Sequence, residues 1–567
     1  MSLVAEAVAV ILSLAIVGLV FFKTRSQGEL KFNSLAISFL ATTLLIIFSE
    51  LVIPQAYLTV PIVTGTYFLV SALLVLAIAR CKLMGIDVFR SLIRGVYWCS
   101  WVQIAFVALQ MSGAVEAYNR LIASAPLIVP HLPVAPDATG LIFQANQLAD
   151  FLFLSLLAAC YLRNQREISS PSFITWIALA GTSCALTGSR SGLVFAASAI
   201  LISAWIWLNE NGSELKQLSK LTSIASLSFV LIQFATKLIS PLLPHYTTGV
   251  DQLVGRSFLG ERFDLWKKAW LIFLDHPILG AGWGSYGAEA VKLQSVVLLK
   301  PDSDQFHSNA HNIILQLLAE SGLLTTTVII GTLLYFGYKL LRKPFTTNRF
   351  VILVAYVILG LHSLVEYPLY SASFIFLLVV LLASDEVDWR TLKVPAKILS
   401  NSVITICLLL TLGSLLVVKW NSLLVTINFA PSNQPLTEAE REDLISLSKK
   451  PVLAEMADFF LLLKVLGLDD RNLEVKLAIT EKLMEKRPNT YILFNRAIFL
   501  SYAGREDEAV QLIKLAQLNQ NLAVSEMISY FNQIPPNPRL LKVRDQLAAS
   551  SKTLFFSDPL DLLRHPQ

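Results

Sequence analysis

Four short polar clusters interrupt an otherwise apolar chain, and each carries side chains able to do chemistry. The richest is Phe306-His-Ser-Asn-Ala-His-Asn312, where His307 and His311 close a polar stretch and an apolar run begins at Ile313. An imidazole at the mouth of a membrane helix suits acid–base work on a substrate arriving at the membrane surface. The plainer alternative is a polar helix start with Ser308 or Asn309 as N-cap. A second cluster, Gly140 to Asp150, holds Gln144, Asn146 and Asp150. Amides there could bind sugar hydroxyls, which need both donors and acceptors, or simply begin a helix. The third, Thr187-Gly-Ser-Arg-Ser-Gly192, is a turn between apolar runs. Arg190 is costly at such depth unless paired or functional. Together with backbone N–H groups of the flanking glycines and serines it would make a phosphate clamp.

The stretch from Arg262 to Gly284 adds Arg262 and Trp266 on one face of an amphipathic helix, expected at the membrane interface, then a Gly-rich turn. Arg262 could be a second phosphate contact or could pair with Glu261 or Asp264. The turn lacks the G-K-[ST] sequence and the strand context of a nucleotide loop. The fourth cluster is His362-Ser-Leu-Val-Glu-Tyr-Pro-Leu-Tyr370. His362 and Glu366, four apart, would share a helix face, and Pro368 would break the helix. Cations suit a diphosphate leaving group, and histidines suit activation of a hydroxyl. The physics reaches as far as group transfer from a phospholipid-like donor on the outer leaflet.

These clusters need a membrane scaffold. Of 567 residues, 55% are hydrophobic and 15% charged, a balance that excludes an ordinary soluble globule. Apolar runs predict about twelve spanning helices, near 3–22, 33–53, 60–79, 91–111, 141–162, 171–188, 191–208, 220–243, 312–338, 349–366, 369–384 and 398–419. The first has no basic n-region or cleavage site and is read as a retained helix. Basic residues load alternate connections, such as Arg80, Lys82, Arg90 and Arg94, which places those connections in the cytoplasm and both termini outside. All four clusters, and all seven histidines (131, 245, 276, 307, 311, 362 and 565), then fall on or near the outer side. The five cysteines lie in or beside apolar runs, without disulfide or zinc spacing. The expected organisation is a bundle over 1–243, a loop over 244–311, a second bundle over 312–420 and a soluble helical region over 421–567. Within the last, Pro488 to Val510 resembles one tetratricopeptide unit, with Ala497 and Gly504 where two helices would pack closely and Ala509 and Ala516 on the second. That region could contact a protein partner or brace the membrane part.

The run His311, Asn312, nine residues, Gly322, two residues, Thr325 resembles the signature of bacterial O-antigen ligases and related oligosaccharide transferases. Arg262, Trp266, His276, Pro277 and Gly280 resemble the segment that precedes it. Gln144-x-Asn146-x-Leu148-Ala149 and His362 to Leu369 resemble the protein O-oligosaccharyltransferase branch, the PglL type that includes pilin glycosylases. The chain departs from that branch at Ala145, where proline is usual, and begins at what would be the branch's second helix. The resemblance implies an all-α, polytopic inner-membrane protein with its active site, large loop and C-terminal TPR-like domain in the periplasm. It implies en bloc transfer of an oligosaccharide from undecaprenyl diphosphate to Ser or Thr of exported proteins such as pilin. Neither metal nor cofactor nor nucleic acid is implied. His311 would activate the acceptor or position the reacting centre, and Arg190 and Arg262 would neutralise the departing diphosphate. Gln144, Asn146, Asn312, His362, Glu366 and Tyr367 would shape the glycan or acceptor site.

Three other readings stand beside this one. An O-antigen ligase would place the glycan on lipid A–core but has no evident need for the C-terminal region. A repeat-unit polymerase shares the donor. A non-enzymatic glycolipid transporter would place its polar residues near the bilayer midplane, whereas these cluster at helix ends.

Overall fold

The computed structural model describes residues 3–26, 29–122, 137–239, 260–297, 306–342, 344–429, 436–519, 523–532 and 534–553. His131, His245, His565 and the loop portions 244–259 and 298–305 lie outside the described residues. The fold is almost wholly helical. Each expected apolar run is a helix: α1 (Leu3–Lys23), α2 (Ser34–Val52), α3 (Thr59–Leu83), α4 (Val88–Met111), then, after the short α5 (Val115–Ile122), α6 (Ala145–Asn164), α7 (Ser170–Ala185), α8 (Ser191–Asn209) and α9 (Ser213–Ile239). Two helices of the polar loop follow, α10 (Gly260–Asp275) and α11 (Tyr286–Lys292). The apolar series resumes with α12 (Ile313–Arg342), α13 (Thr347–Ser363), α14 (Ala372–Asp385) and α15 (Ala396–Phe429).

Nine helices among the described residues are long and apolar enough to cross a membrane. The remaining three of the expected twelve, α7, α13 and α14, have 16, 17 and 14 residues. At ~1.5 Å per residue each falls short of a hydrocarbon layer ~30 Å thick. The chain is a multi-pass membrane protein.

The chain forms two compact units. One takes Met1–Leu40, Tyr67–Phe258 and Ile330–Leu415. Its centre is α6, buried along nearly its whole length from Gln147 to Leu162. Its small residues Ala149, Ser155, Ala158 and Ala159 let neighbouring helices approach closely. Helices α4, α7, α9 and α13 pack around it. Glu6 on α1 accepts from the Tyr67 hydroxyl (2.8 Å) and from the Ala372 backbone N–H (2.7 Å), which holds the start of α14. The basic connections are matched by acids: Arg90 and Arg94 on Glu167 (2.5 and 2.6 Å), Arg349 on Asp385 (2.7 Å) and Lys339 on Glu386 (2.7 Å). Two four-residue strands, β1 (Glu29–Phe32) and β2 (Arg390–Lys393), pair antiparallel with Glu29 opposite Lys393.

The other unit takes Ala41–Thr66, Leu259–Ile329 and Leu416–Gln567. Its C-terminal helices are α16 (Glu438–Leu447), α17 (Ala454–Lys464), α18 (Leu473–Met484), α19 (Thr490–Tyr502), α20 (Glu506–Asn519), α21 (Ala523–Phe531) and α22 (Leu541–Thr553). They share a core of Leu483, Leu493, Ile498, Phe499, Ile513 and Val543. Tyr57, from the turn between α2 and α3, belongs to the same core, and its hydroxyl donates to Asp458 (2.8 Å). Ala497, Ala509 and Ala516 are fully buried where α19 meets α20. Gly504 differs from its expected role. It sits in the turn with φ +78 and nothing near its missing side chain, so it serves backbone conformation, not close packing.

Candidate active site

The signature glycine explains its own spacing. Helix α12 is two helices end to end, broken at Gly322, where φ is 65 and ψ −171. Such a break leaves backbone groups unpaired, and in a membrane protein these must be satisfied internally. The stretch 277–282 does this by lying across the gap. Ala281 N–H donates to Ala319 O (2.9 Å) and Gly282 N–H to Glu320 O (3.0 Å), while Leu323 N–H donates to Pro277 O (2.8 Å). The approach is so close that a Cβ on Gly280 would lie 2.3 Å from the Glu320 carbonyl carbon, and one on Gly322 2.3 Å from Ile278 O. Pro277, Gly280 and Gly322 are therefore one structural device split between two sequence segments.

Three turns before the break, α12 begins at the His311 turn. Its cap is Asn312, whose Oδ1 accepts from Ile314 and Leu315 N–H (3.1 Å each), and not Ser308 or Asn309. Asn309 instead accepts from the His311 N–H (3.2 Å). His311 itself sits at φ 49, a left-handed conformation that costs a non-glycine residue about 1 kcal/mol or more. A buried chain of polar groups holds the turn from below: Ala310 N–H donates to Gln316 Oε1 (2.6 Å), and Gln316 Nε2 donates to Glu320 (2.7 Å). Glu320 also accepts from Tyr286 N–H (3.3 Å). Lys486, from the turn after α18, donates to Trp283 O (2.5 Å) and Gln55 Oε1 (3.1 Å).

Beside His311 stands His307, ring centroids 6.3 Å apart. Burial, then the neighbouring His311 and Lys268, pull the His307 imidazole down to about 4. Its Nε2 is enclosed without a hydrogen bond to the described chain. Lys268 on α10 is 1% exposed and donates to Gln294 Oε1; burial lowers its ammonium to about 8, against the pull of Asp264. Arg262 and Trp266 are half-buried on the same helix, whose exposed stripe is instead Phe263, Lys267, Trp270 and Leu274. Three large apolar side chains with one lysine among them fit a helix lying in the membrane interface.

In the first unit, Arg190 is the half-buried residue preceding α8. Two of the backbone donors expected to serve a clamp are occupied within the turn. Gly188 N–H donates to Ala185 O (3.3 Å), and Ser189 N–H donates to Thr187 Oγ1 (3.2 Å). Ser191 Oγ lies 3.0 Å from His362 Nε2, and His362 Nδ1 lies 2.7 and 2.8 Å from the two oxygens of Asp150. Helix α13 ends at Ser363, so Glu366 lies past it, although its N–H still reaches His362 O (2.7 Å). Pro368 opens a short 3-10 turn and does not terminate α13. Gln144 Nε2 donates to the Tyr367 hydroxyl (2.9 Å), and Asn146, two residues on, is half-buried.

The first unit thus assembles Gln144 with Tyr367, and His362 with Asp150 and Ser191. The second assembles His311 and Asn312 with His307, and α10 carries Arg262. Sequence reading gave no role to the side chains of Ser191, Gln316, Glu320, Lys268 or Lys486. Glu320 had a faint signal, a carboxylate two residues before the signature glycine; Lys486 had none, being distant in the chain.

Comparison with known families fits these features. The O-antigen ligase family model matches residues 175–336, and a model for the C-terminal part of virulence factor membrane-bound polymerases matches residues 351–519. Two curated proteins of Acinetobacter baylyi are similar to the chain. A general O-oligosaccharyltransferase is 24% identical over 46% of this chain and 46% of that protein. A ComP-specific O-oligosaccharyltransferase is 22% identical over 41% of this chain and 40% of that protein. The matched stretch thus spans less than half the length of each relative.

Proposed function

The chain belongs to the O-antigen ligase superfamily, and we propose that it is a protein O-oligosaccharyltransferase of the PglL type. In this reading it is a multi-pass protein of the bacterial inner membrane. It moves a preassembled oligosaccharide from undecaprenyl diphosphate to Ser or Thr hydroxyls of exported proteins, pilin among them, on the periplasmic side. The observation that carries the reading is the His311 turn: an imidazole in a strained conformation, fixed by the Asn312 cap and the Gln316–Glu320 chain.

The acceptor hydroxyl attacks the anomeric carbon of the donor while His311 takes its proton. The bond from that carbon to the diphosphate oxygen breaks, and undecaprenyl diphosphate leaves. Arg190 and Arg262 meet the charge that develops on it. Gln144, Asn146 and Tyr367 offer amides and a phenol to sugar hydroxyls, with Glu366 nearby as acceptor. Asn312 acts through the turn it caps, and His362 through its two hydrogen bonds. The C-terminal helices, read as a TPR-like domain, brace the catalytic turn.

The test is intact-mass analysis of exported proteins, pilin included, from cells with and without the gene, with lipopolysaccharide run on a gel. Loss of a discrete glycan mass from a protein, with lipopolysaccharide unchanged, is the expected result. Loss of the O-antigen ladder with unchanged protein masses would make the chain a ligase. His311→Ala should abolish transfer while donor still reaches the outer leaflet.

A further inference from the structure

A carboxylate and an imidazole sit together at the heart of the first unit. Asp150 and His362 side chains are 0% and 1% exposed, on the packed helices α6 and α13. Ionisable groups at such depth are costly and mark function more often than packing. The pair does not close on itself. His362 uses Nδ1 for Asp150 and Nε2 for Ser191, and Ser191 is half-buried and next in sequence to Arg190.

We propose that Asp150, His362 and Ser191 form a hydrogen-bond relay that presents the Ser191 hydroxyl, beside Arg190, to a phosphate of the lipid-linked donor. This rests on the transferase reading, because it assumes a polyprenyl diphosphate ligand. Ser191 is the binding residue; His362 and Asp150 are positioning residues. In the relay Asp150 is the acceptor, so Nδ1 carries the hydrogen it gives to Asp150. With Nε2 unprotonated, the Ser191 proton points inward to it. When Nε2 also carries a hydrogen, it donates to Ser191 Oγ, and the hydroxyl proton is released towards an incoming phosphate oxygen. Phe195, edge-on to the His362 ring at 5.2 Å, fixes the ring plane.

The test uses the full chain in lipid nanodiscs and undecaprenyl diphosphate without glycan, with binding read by native mass spectrometry. Ser191→Ala should weaken binding about tenfold, the size of one charge-assisted hydrogen bond. Ser191→Thr, which keeps the hydroxyl, should restore it. Asp150→Asn should weaken binding similarly, and the Asp150→Asn/Ser191→Ala double variant should lose no more than Ser191→Ala alone. A merely structural Asp150 would instead give additive losses, and that outcome, or unchanged binding in Ser191→Ala, overturns the relay. Wild-type chain that binds no undecaprenyl diphosphate would sink the donor assignment itself. Glycan delivered to lipid A–core instead of protein would sink only the acceptor assignment and leave the relay intact.

Discussion

At the scale of single residues, burial decides which charges can do what. His307 has its folded-state proton affinity lowered to about 4 from 6.5. Between those values the unfolded chain binds the proton and the folded chain does not. The contribution of the neutral imidazole to stability is therefore intact above pH 6.5 and drains away as pH falls towards 4. Thermal unfolding followed from pH 7 to 4 should show a steeper loss for wild type than for His307→Gln; parallel curves would mean that His307 charges freely. Arg190→Lys keeps the charge but loses the planar fork, and transfer measured in vitro should drop about tenfold or more. Residues of this kind were legible when their chemistry clashed with their surroundings. Arg190, His311 and His362 stood out as polar groups in apolar sequence. Ser191 did not, because a serine in a turn looks ordinary until the imidazole facing it, 171 positions away, is seen.

Among elements, the broken helix α12 is the feature that most constrains the site. A continuous helix was the natural reading of the apolar run from Ile313, and hydropathy has no way to register a single residue at positive φ. Gly322 was visible only as a spacing. Gly322→Ala should force a side chain against Ile278 O in a conformation that costs roughly 1–3 kcal/mol. The expected outcome is a lower unfolding midpoint and lost transfer; a fully active, equally stable variant would show that the break can relax. The same limit explains α13. That helix ends at Ser363, before Pro368, in a turn closed by Leu364 N–H to Leu361 O (3.2 Å) and Val365 N–H to His362 O (3.0 Å), which the apolar pattern does not register. The α-helical class and the position of every apolar segment were readable because a lipid-facing helix must be apolar over nearly its whole length.

For the molecule as a whole, each of the two units is built from three separate stretches of the chain. Sequence order gives no hint of this, because the contacts that define the second unit join segments far apart. Lys486 is the sharpest case. Lys486→Ala would leave Trp283 O without this donor and remove the positive charge near Glu320, at a cost of about 1–3 kcal/mol. Limited proteolysis should then cut the C-terminal helices faster and transfer should fall; wild-type resistance and activity would make the contact incidental. Orientation is tested by reporter fusions, expected to read cytoplasmic at Gly212 and external at Ser303. The opposite pattern would put the four polar clusters on the wrong side for a periplasmic donor.

Tyr57 leaves the ribosome early, yet its partner Asp458 is 401 residues downstream. At ~5–20 residues per second, Tyr57 waits roughly 20–80 s for the core that encloses it. The turn bearing His311 likewise lacks its Lys486 support until nearly all of the chain has been made. Copies that stop short of Lys486 would therefore carry the His311 turn without that support, and the turn takes its final form only once translation has passed that residue.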